Sequence, residues 1–187
     1  MTQDTTATAN TNGVNVNSLF ETIEAVKNDN ELAKFRFRAR NRWFTGGHNQ
    51  STIQGFYGCR AEDTTRTIPF VLDADEPPVL LGQDNGANPV EFVLHALIAC
   101  MTTTMVYHAA SRGIKIEAVD SELEGDLDLR GFLNLSKDVR KGYQEIRVKI
   151  RVKSQAAPTT LQELTKFSPV FDVVSNSVPV KVTVETY

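Results

Sequence analysis

The feature that most constrains the fold is a long apolar stretch from Asn88 to Gly113, NPVEFVLHALIACMTTTMVYHAASRG. Between Glu91 and Arg112 it contains no acidic residue, lysine or arginine. Asn88 can cap a helix, Pro89 fits the first turn, where its missing N–H costs nothing, and Gly113 can supply a left-handed stop. Because such a helix has no polar face, the stretch predicts a helix that other parts of the fold bury on nearly every side.

The same stretch is long enough for a membrane span, since about 20 apolar residues cross a bilayer. Three consecutive threonines, Thr102 to Thr104, and two histidines, His95 and His108, make it poorly suited to lipid. The first residues are polar and do not resemble a secretory leader. We therefore expect a water-soluble, cytoplasmic protein with a central helix.

The charge and motif content exclude several classes of function. The net charge is −3 and no basic block is present, so we expect neither a nucleic-acid nor a membrane partner. Two cysteines, Cys59 and Cys100, are too few for a disulfide framework and lack the spacing of metal ligands. No dinucleotide-binding or P-loop motif occurs. The sequence thus predicts reduced thiols and no metal or organic cofactor.

The chain before the apolar stretch divides into a tail and the start of a single domain. Residues 1–16 are mostly Thr, Asn, Gln and Gly, which predicts a disordered tail. The domain is expected to cover residues 17–187. Its first segment, residues 17–34, places Leu19, Ile23 and Val26 on one face, which predicts an amphipathic helix.

Alternating patterns on both sides of the apolar stretch predict strands. The segment Phe35–Phe44 alternates apolar or small residues with arginines, and residues 45–50 are typical of a hairpin turn. The predicted order is helix, three strands, long helix, two strands, helix, and a last strand over residues 178–187. This order indicates an α+β fold in which an antiparallel sheet packs on a long buried central helix.

Cys100 lies in the middle of the predicted central helix, where it is either a small core residue or a protected nucleophile. Tyr107 falls close to the Cys100 face of an ideal helix, so its hydroxyl is a candidate donor to a sulfur or peroxide oxygen. Glu91 falls on the opposite face and could act only if the helix bends. A mid-helix thiolate gains little from the helix dipole, so a cation must come from elsewhere.

Candidates for that cation lie in or near the predicted hairpin turn. An imidazolium at His48 could stabilise a thiolate, although a turn histidine is more often merely solvated. Arg40 and Arg42 are nearby alternatives, and a solvated strand face is the simpler interpretation of both. Cys59 could resolve an oxidised Cys100 only if the fold brought the two within disulfide reach.

The motif N-P-x-E-x-x-x-x-x-x-x-A-C, followed by S-P-V-F-D and V-P-V-x-V, resembles the family of OsmC and Ohr proteins, the osmotically induced and organic-hydroperoxide-resistance proteins. The resemblance extends over roughly Phe35–Tyr187. It implies an intertwined homodimer with each active site at the subunit interface. It also implies a thiol peroxidase that reduces organic hydroperoxides in oxidative-stress defence, with Cys100 at the peroxidatic position.

Three positions depart from the family pattern. Ser168 stands where the family has a second, resolving cysteine, so the resemblance implies recycling by an external thiol. Val90 stands at the position of the catalytic glutamate, with Glu91 one residue later, and His48 occurs where a catalytic arginine follows the Gly-Gly turn. The chain thus resembles a divergent OsmC-like branch, with Arg42, Ser168 and Phe171 as candidate substrate contacts.

Two other functions stay open. The departures from the family pattern favour a catalytically degenerate protein that binds an apolar small molecule at the dimer interface. A cysteine hydrolase using Cys100, a histidine and Asp172 is a weaker alternative, because no spacing in the sequence requires it.

Overall fold

The apolar stretch forms one helix, α2, Pro89–Ala110, as the sequence predicts. Asn88 caps it, since the Asn88 Oδ1 atom accepts a hydrogen bond from the Val90 N–H at 3.0 Å. The Glu91 carboxylate accepts one from the Asn88 N–H at 2.9 Å, which completes a reciprocal capping box. Gly113 lies just beyond the helix with φ at +68°.

Only one stripe of α2 is buried in the single chain. Leu97, Met101, Met105 and Ala109 are spaced four residues apart and lie against the protein interior. Other sides stay open, and Tyr107 is 49% exposed. By length and composition alone α2 could cross a membrane, but the core helix of a soluble protein meets the same criteria.

The computed structural model of the protein describes residues 10–186. The strands are β1 Asn10–Thr11, β2 Val14–Asn15, β3 Arg40–Thr45, β4 His48–Ile53, β5 Phe56–Gly58, β6 Ala61–Asp63, β7 Phe70–Ala74, β8 Ile116–Asp126 and β9 Glu145–Ser154. The other helices are α1 Val16–Asn28, α3 Leu129–Phe132, α4 Pro158–Thr165 and α5 Pro169–Ser175, with 3₁₀ turns at Asn30–Ala33 and Pro78–Leu80.

The chain divides into two compact units. Unit 1 contains Asn15–Val93, and unit 2 contains Thr11–Val14 and the chain from Leu94 onward. Helix α2 therefore begins in unit 1 and continues in unit 2. A single domain over residues 17–187 stays a prediction.

Unit 1 contains an antiparallel sheet in the order β3-β4-β7 and a separate β5-β6 hairpin. The predicted strand Phe35–Phe44 is shorter than expected: β3 begins at Arg40, and before it Arg36 makes only an isolated bridge with Tyr57. His48 lies in β4 instead of in the turn, because the connection consists of Gly46 and Gly47 alone.

Unit 2 contains the antiparallel pair β8-β9, whose alternation gives it two different faces. The apolar face, including Val119 and Val152, packs on a core of Met105, Ala109, Leu161 and Leu164 from α2 and α4. The other face carries a ladder of ion pairs. Arg147 binds Glu124, Asp126 and Glu145, Arg151 binds Glu122, and Lys153 binds Glu117.

The predicted tail over residues 1–16 is too long at its C-terminal end, and residues 1–9 lie outside the described part of the chain. Residues 10–15 form β1 and β2 around a turn at Asn12, whose φ is +57°. The Asn12 side chain donates to the Ile114 carbonyl at 2.9 Å and accepts from the Ile116 N–H at 2.8 Å. These two bonds order the turn despite its polar composition.

Both ends of the domain also differ from the sequence prediction. The expected helix over residues 17–34 ends at Asn28, where Asp29 takes an extended conformation and caps a 3₁₀ turn. The expected last strand is not formed over residues 177–186, because no neighbouring strand pairs with it. Its alternating valines, Val178 to Val184, are exposed.

Candidate functional site

Cys100 lies near the middle of α2, in unit 2, and its side chain is half-buried. In the described part of the chain its thiol has no hydrogen-bond or ion-pair partner. Neighbouring positions of α2 supply no lysine or arginine. Cys100 is therefore partly exposed, but its own helix offers no cation to stabilise a thiolate.

Tyr107 lies on the same face of α2 as Cys100, as predicted. Seven residues separate them, which corresponds to a rotation of about 20° and a rise of about 10 Å along the helix. Because helical side chains tilt toward the N-terminus, the Tyr107 ring is directed toward the Cys100 end of this face. Its exposure leaves the hydroxyl accessible to a bound molecule.

Unit 2 also contains an open apolar groove with a volume of about 820 Å³. Its lining includes Met101, Met105, Ala156, Leu161 and Phe171. Met101 and Met105 lie about 100° and 140° around α2 from Cys100. The groove and the thiol therefore use different faces of the same helix. Phe171, predicted from the sequence as a substrate contact, lines the groove.

Ser168, the predicted substrate contact at the second-cysteine position, is buried and caps α5. Its hydroxyl oxygen accepts a hydrogen bond from the Phe171 N–H at 3.1 Å. Asp172 accepts a hydrogen bond from the Asn176 side chain at 2.9 Å. The structure thus gives Ser168 a capping role and supplies no histidine contact for Asp172 among the described residues.

His108 is the histidine of α2 with defined partners. Its ring stacks on Phe167 with centroids 4.5 Å apart, and Arg112 Nη1 lies 3.0 Å from its Nδ1 atom. Burial and the neighbouring Arg112 charge both lower the pKa of His108. His108 is therefore a packed histidine, whereas His95 is exposed.

The predicted cations of unit 1 meet around one aromatic ring. The Arg42 guanidinium lies 5.7 Å from the centre of the Phe44 ring, and the His48 ring lies 5.0 Å from it. His48 Nε2 lies 2.9 Å from Asp73 Oδ1. Hydrogen bonds from His48 and then Gln50 lower the pKa of Asp73. We name these four residues, Arg42, Phe44, His48 and Asp73, the cationic cluster.

Asp73 was not predicted as a site residue, although its place on the neighbouring strand β7 makes the contact with His48 possible. Asp75, a buried carboxylate directly after β7, was not predicted either. Burial acts to raise the pKa of Asp75, but hydrogen bonds from Glu76, Asn85 and Gln83 outweigh it and lower that pKa. Asp75 thereby fixes the loop that leads to α2.

Glu91 and Cys59 have local roles in unit 1. The Glu91 carboxylate is engaged in the capping box of α2, at the start of the helix and nine residues before Cys100. Cys59 lies in the β5-β6 turn with φ at +49°, and its exposed thiol contacts the Leu32 carbonyl at 3.7 Å. Cys59 and Cys100 belong to different units.

The structure therefore divides the predicted site residues into two groups. Arg42 and His48 share the cationic cluster in unit 1, which also contains Glu91 at the first turn of α2, while Cys100 and Tyr107 share a helix face in unit 2. Among residues 10–186, no group of histidine, cysteine, aspartate and glutamate side chains is arranged to hold a metal ion.

These features define an α+β protein with a half-buried cysteine on a long central helix. The OsmC-like protein family model matches residues 82–183, more than half of the chain and including Cys100. The chain belongs to the OsmC-like protein family. Relatives of this kind are generally soluble, and membership supports a stress-response function of the OsmC type.

Solved structures agree with the fold. An OsmC-like protein from Mycoplasma pneumoniae is 16% identical, with a TM-score of 0.56 over 76% of this chain and 89% of that chain. A candidate osmotic stress induced and detoxification response protein from Psychrobacter arcticus is 13% identical, with a TM-score of 0.52 over 71% and 83%. No curated protein sequence shows significant similarity to the chain.

Proposed function

We propose that the protein is a cytoplasmic, homodimeric thiol peroxidase that reduces organic hydroperoxides through Cys100. The observation that carries the proposal is the half-buried Cys100 thiol without a protein partner, inside the segment that matches the OsmC-like family. A small structural cysteine needs no opening to solvent, whereas a peroxidatic one must be reached by its substrate.

In the proposed reaction, the Cys100 thiolate attacks the terminal oxygen of the hydroperoxide. The O–O bond breaks, the organic part leaves as an alcohol after taking up a proton, and the sulfur becomes a sulfenic acid. One external thiol then forms a mixed disulfide with Cys100 and releases water. A second external thiol displaces Cys100 as a thiol and leaves as the external disulfide.

Oxidised Cys100 needs an external thiol for its reduction, because position 168 is a serine and not a resolving cysteine. Ser168 is buried as the cap of α5, and its oxygen cannot form a disulfide. Cys59 is exposed at a turn in unit 1, where it serves no role in the proposed cycle. Dithiothreitol or another small dithiol is therefore expected to sustain turnover.

The cation for Cys100 is proposed to come from the cationic cluster of a second copy. Supporting this assignment, α2 carries no lysine or arginine near Cys100, and apolar side chains of unit 1 such as Trp43 are 67% exposed in a single chain. A homodimer would cover such surface and could place Arg42 or His48 beside the thiolate. In this proposal, the Tyr107 hydroxyl donates a hydrogen bond to the oxygen of the hydroperoxide that leaves with the alcohol.

Steady-state consumption of cumene hydroperoxide with dithiothreitol tests the proposal. Cys100→Ser is expected to fall to the background without enzyme, while Cys59→Ser keeps the wild-type rate. His48→Gln and Arg42→Gln should slow the oxidation step and leave the reduction step unchanged, because they act on the attacking thiolate. A Cys100→Ser variant with wild-type turnover would contradict the proposal.

The groove of unit 2 favours one alternative, an apolar small-molecule binding protein. Its volume of about 820 Å³ is within the range of small-molecule sites, and it lies on another face of α2 than Cys100. Ala156→Phe would narrow the groove. Ala157→Phe is the matched control, because Ala157 is exposed and does not line the groove. Loss of binding of an apolar dye in Ala156→Phe only, together with a peroxide-inert Cys100, would favour this alternative.

A further inference from the structure

The connection between β8 and β9, residues 127–144, exposes a group of large apolar side chains. We name residues 127–144 the hairpin tip. Phe132 and Leu135 are each 72% exposed, and Leu133 between them is 55% exposed. Single exposed apolar residues are common, but a contiguous group usually marks an interaction surface. The core of unit 2 covers none of these three side chains to any great extent.

The hairpin tip is also basic, although the whole chain has a net charge of −3. It contains four cations, Arg130, Lys137, Arg140 and Lys141, against the carboxylates of Asp128 and Asp138. Arg130 and Asp128 bind each other at 2.5 Å. Among the described residues, the other three cations have no ion-pair partner.

The acids at the base of the hairpin tip are already engaged. Asp126 at the end of β8 binds Arg147 at 2.6 Å, and Glu145 at the start of β9 binds the same guanidinium at 2.9 Å. The free cations of the tip are therefore not neutralised by these carboxylates.

Backbone packing places the apolar turn beside the basic segment. A Cβ atom on Gly131 would lie 2.4 Å from the Arg140 carbonyl oxygen and 3.0 Å from the Lys141 Cα atom. Position 131 is therefore restricted to glycine by this close approach. The Leu135 N–H donates to the Arg130 carbonyl at 2.8 Å. This bond stabilises the apolar turn, by which we mean residues 130–135.

We propose that the hairpin tip docks the protein on an anionic lipid bilayer surface. Phe132, Leu133 and Leu135 enter the interfacial layer, while Lys137, Arg140 and Lys141 bind the headgroups. Apolar insertion and basic attraction are the two terms that hold peripheral proteins on anionic membranes, and each alone is weak. The proposal does not depend on the peroxidase chemistry.

A membrane partner was not expected from the sequence, because the chain lacks a continuous basic block. The arrangement of charged and apolar residues favours a lipid bilayer over an acidic protein groove as the partner of the hairpin tip. The basic segment lies beside an exposed apolar turn, and a bilayer surface offers an apolar and an anionic environment within a few ångströms.

Co-sedimentation of the full chain with vesicles tests the proposal. Vesicles of phosphatidylcholine alone are compared with vesicles that also contain phosphatidylglycerol, at low and high salt. Wild type should prefer the anionic vesicles, and this preference should shrink at high salt because the interaction is screened. Neutralising Lys137, Arg140 and Lys141 to glutamine should weaken binding by roughly fivefold per cation at low salt.

Apolar and backbone variants make the test specific. Phe132→Ser with Leu135→Ser should abolish sedimentation, whereas Ile68→Ser, at an 80% exposed position of unit 1, should leave it unchanged. Gly131→Ala should weaken binding because it separates the apolar turn from the basic segment. Gly142→Ala is the matched control, since a Cβ atom there meets nothing within 4 Å.

Three results would overturn the proposal. They are equal binding of wild type to neutral and anionic vesicles, unchanged binding in the triple glutamine variant, and a change of oligomeric state as the sole effect of the serine variants. The last result would assign the hairpin tip to a contact between copies of the chain. Peroxidase turnover, measured in parallel without vesicles, separates failure here from failure of the proposed function.

Discussion

The β8-β9 sheet and the β3-β4-β7 sheet differ in how their apolar residues are covered. In unit 2, the β8-β9 pair buries one face against α2 and α4 and covers the other with ion pairs. In unit 1, the edge strand β7 of the β3-β4-β7 sheet exposes apolar residues on both faces, because the consecutive residues Phe70 and Val71 are 59% and 51% exposed. The β8-β9 sheet is thus covered within its own unit, whereas the β3-β4-β7 sheet leaves apolar side chains uncovered in a single chain.

The largest expected effect is the loss of a buried side chain in unit 2. Leu164→Ala leaves a cavity in the core formed with Met105 and Leu161 and should lower the free energy of unfolding by about 2–5 kcal/mol. Denaturant titration measures this change. A loss below about 1 kcal/mol would contradict the assignment of this cluster as the main core of unit 2.

A smaller effect is expected when the loop before α2 loses its buried carboxylate. The pKa of Asp75 is lowered from its ordinary value of 3.8, so its stabilising contribution is present above that value and is lost as the pH falls through the folded-state pKa. Asp75→Asn should destabilise the protein at pH 7 and flatten the loss of stability on acidification below about pH 4. Thermal melts over this pH range provide the measurement, and an unchanged acid limb would show that Asp75 does not hold the loop.

Removing Arg147, the cation of the β8-β9 ladder with three carboxylate partners, should cost less again. Arg147→Gln breaks contacts with Glu124, Asp126 and Glu145, all of which are exposed to solvent. Its effect on unfolding should shrink as salt is added, because exposed ion pairs are screened. A large loss of unfolding free energy that does not depend on salt would mean that the outer face of this sheet is covered.

The smallest effect on the folding of a single chain is expected in unit 1. Phe70→Ser should change the unfolding free energy of the monomer by no more than about 0.5 kcal/mol, since the side chain lies on the surface. The same variant should weaken the proposed homodimer, which sedimentation velocity at several concentrations would detect. Unchanged association would refute β7 as part of the covered surface.

Sequence reasoning located the elements whose causes are local. Capping residues set the ends of α2: Asn88 and Pro89 at the start, and Gly113 after the end. The alternating segments of β8 and β9 form strands because they pair with each other. The alternating segment over residues 178–187 has the same kind of pattern, but the described chain offers no neighbouring strand for it. A strand needs an edge to pair with, and alternation alone does not supply one.

The candidate site was less predictable because its contacts join residues far apart in sequence. His48 was expected in a turn, yet it lies in β4 and contacts Asp73, which is 25 residues away. Ser168 is a predicted substrate contact because it stands at the family's second-cysteine position, and its capping of α5 was not predicted. Periodicity and motif spacing carry no information on such partners.

The most direct test of the central claim is intact-mass analysis after brief, substoichiometric cumene hydroperoxide in the presence of a sulfenic-acid trap. The account predicts rapid trapping on wild type and on Cys59→Ser, and none on Cys100→Ser. Trapping no faster than on an ordinary free thiol, or trapping that persists in Cys100→Ser, would contradict a peroxidatic role for Cys100.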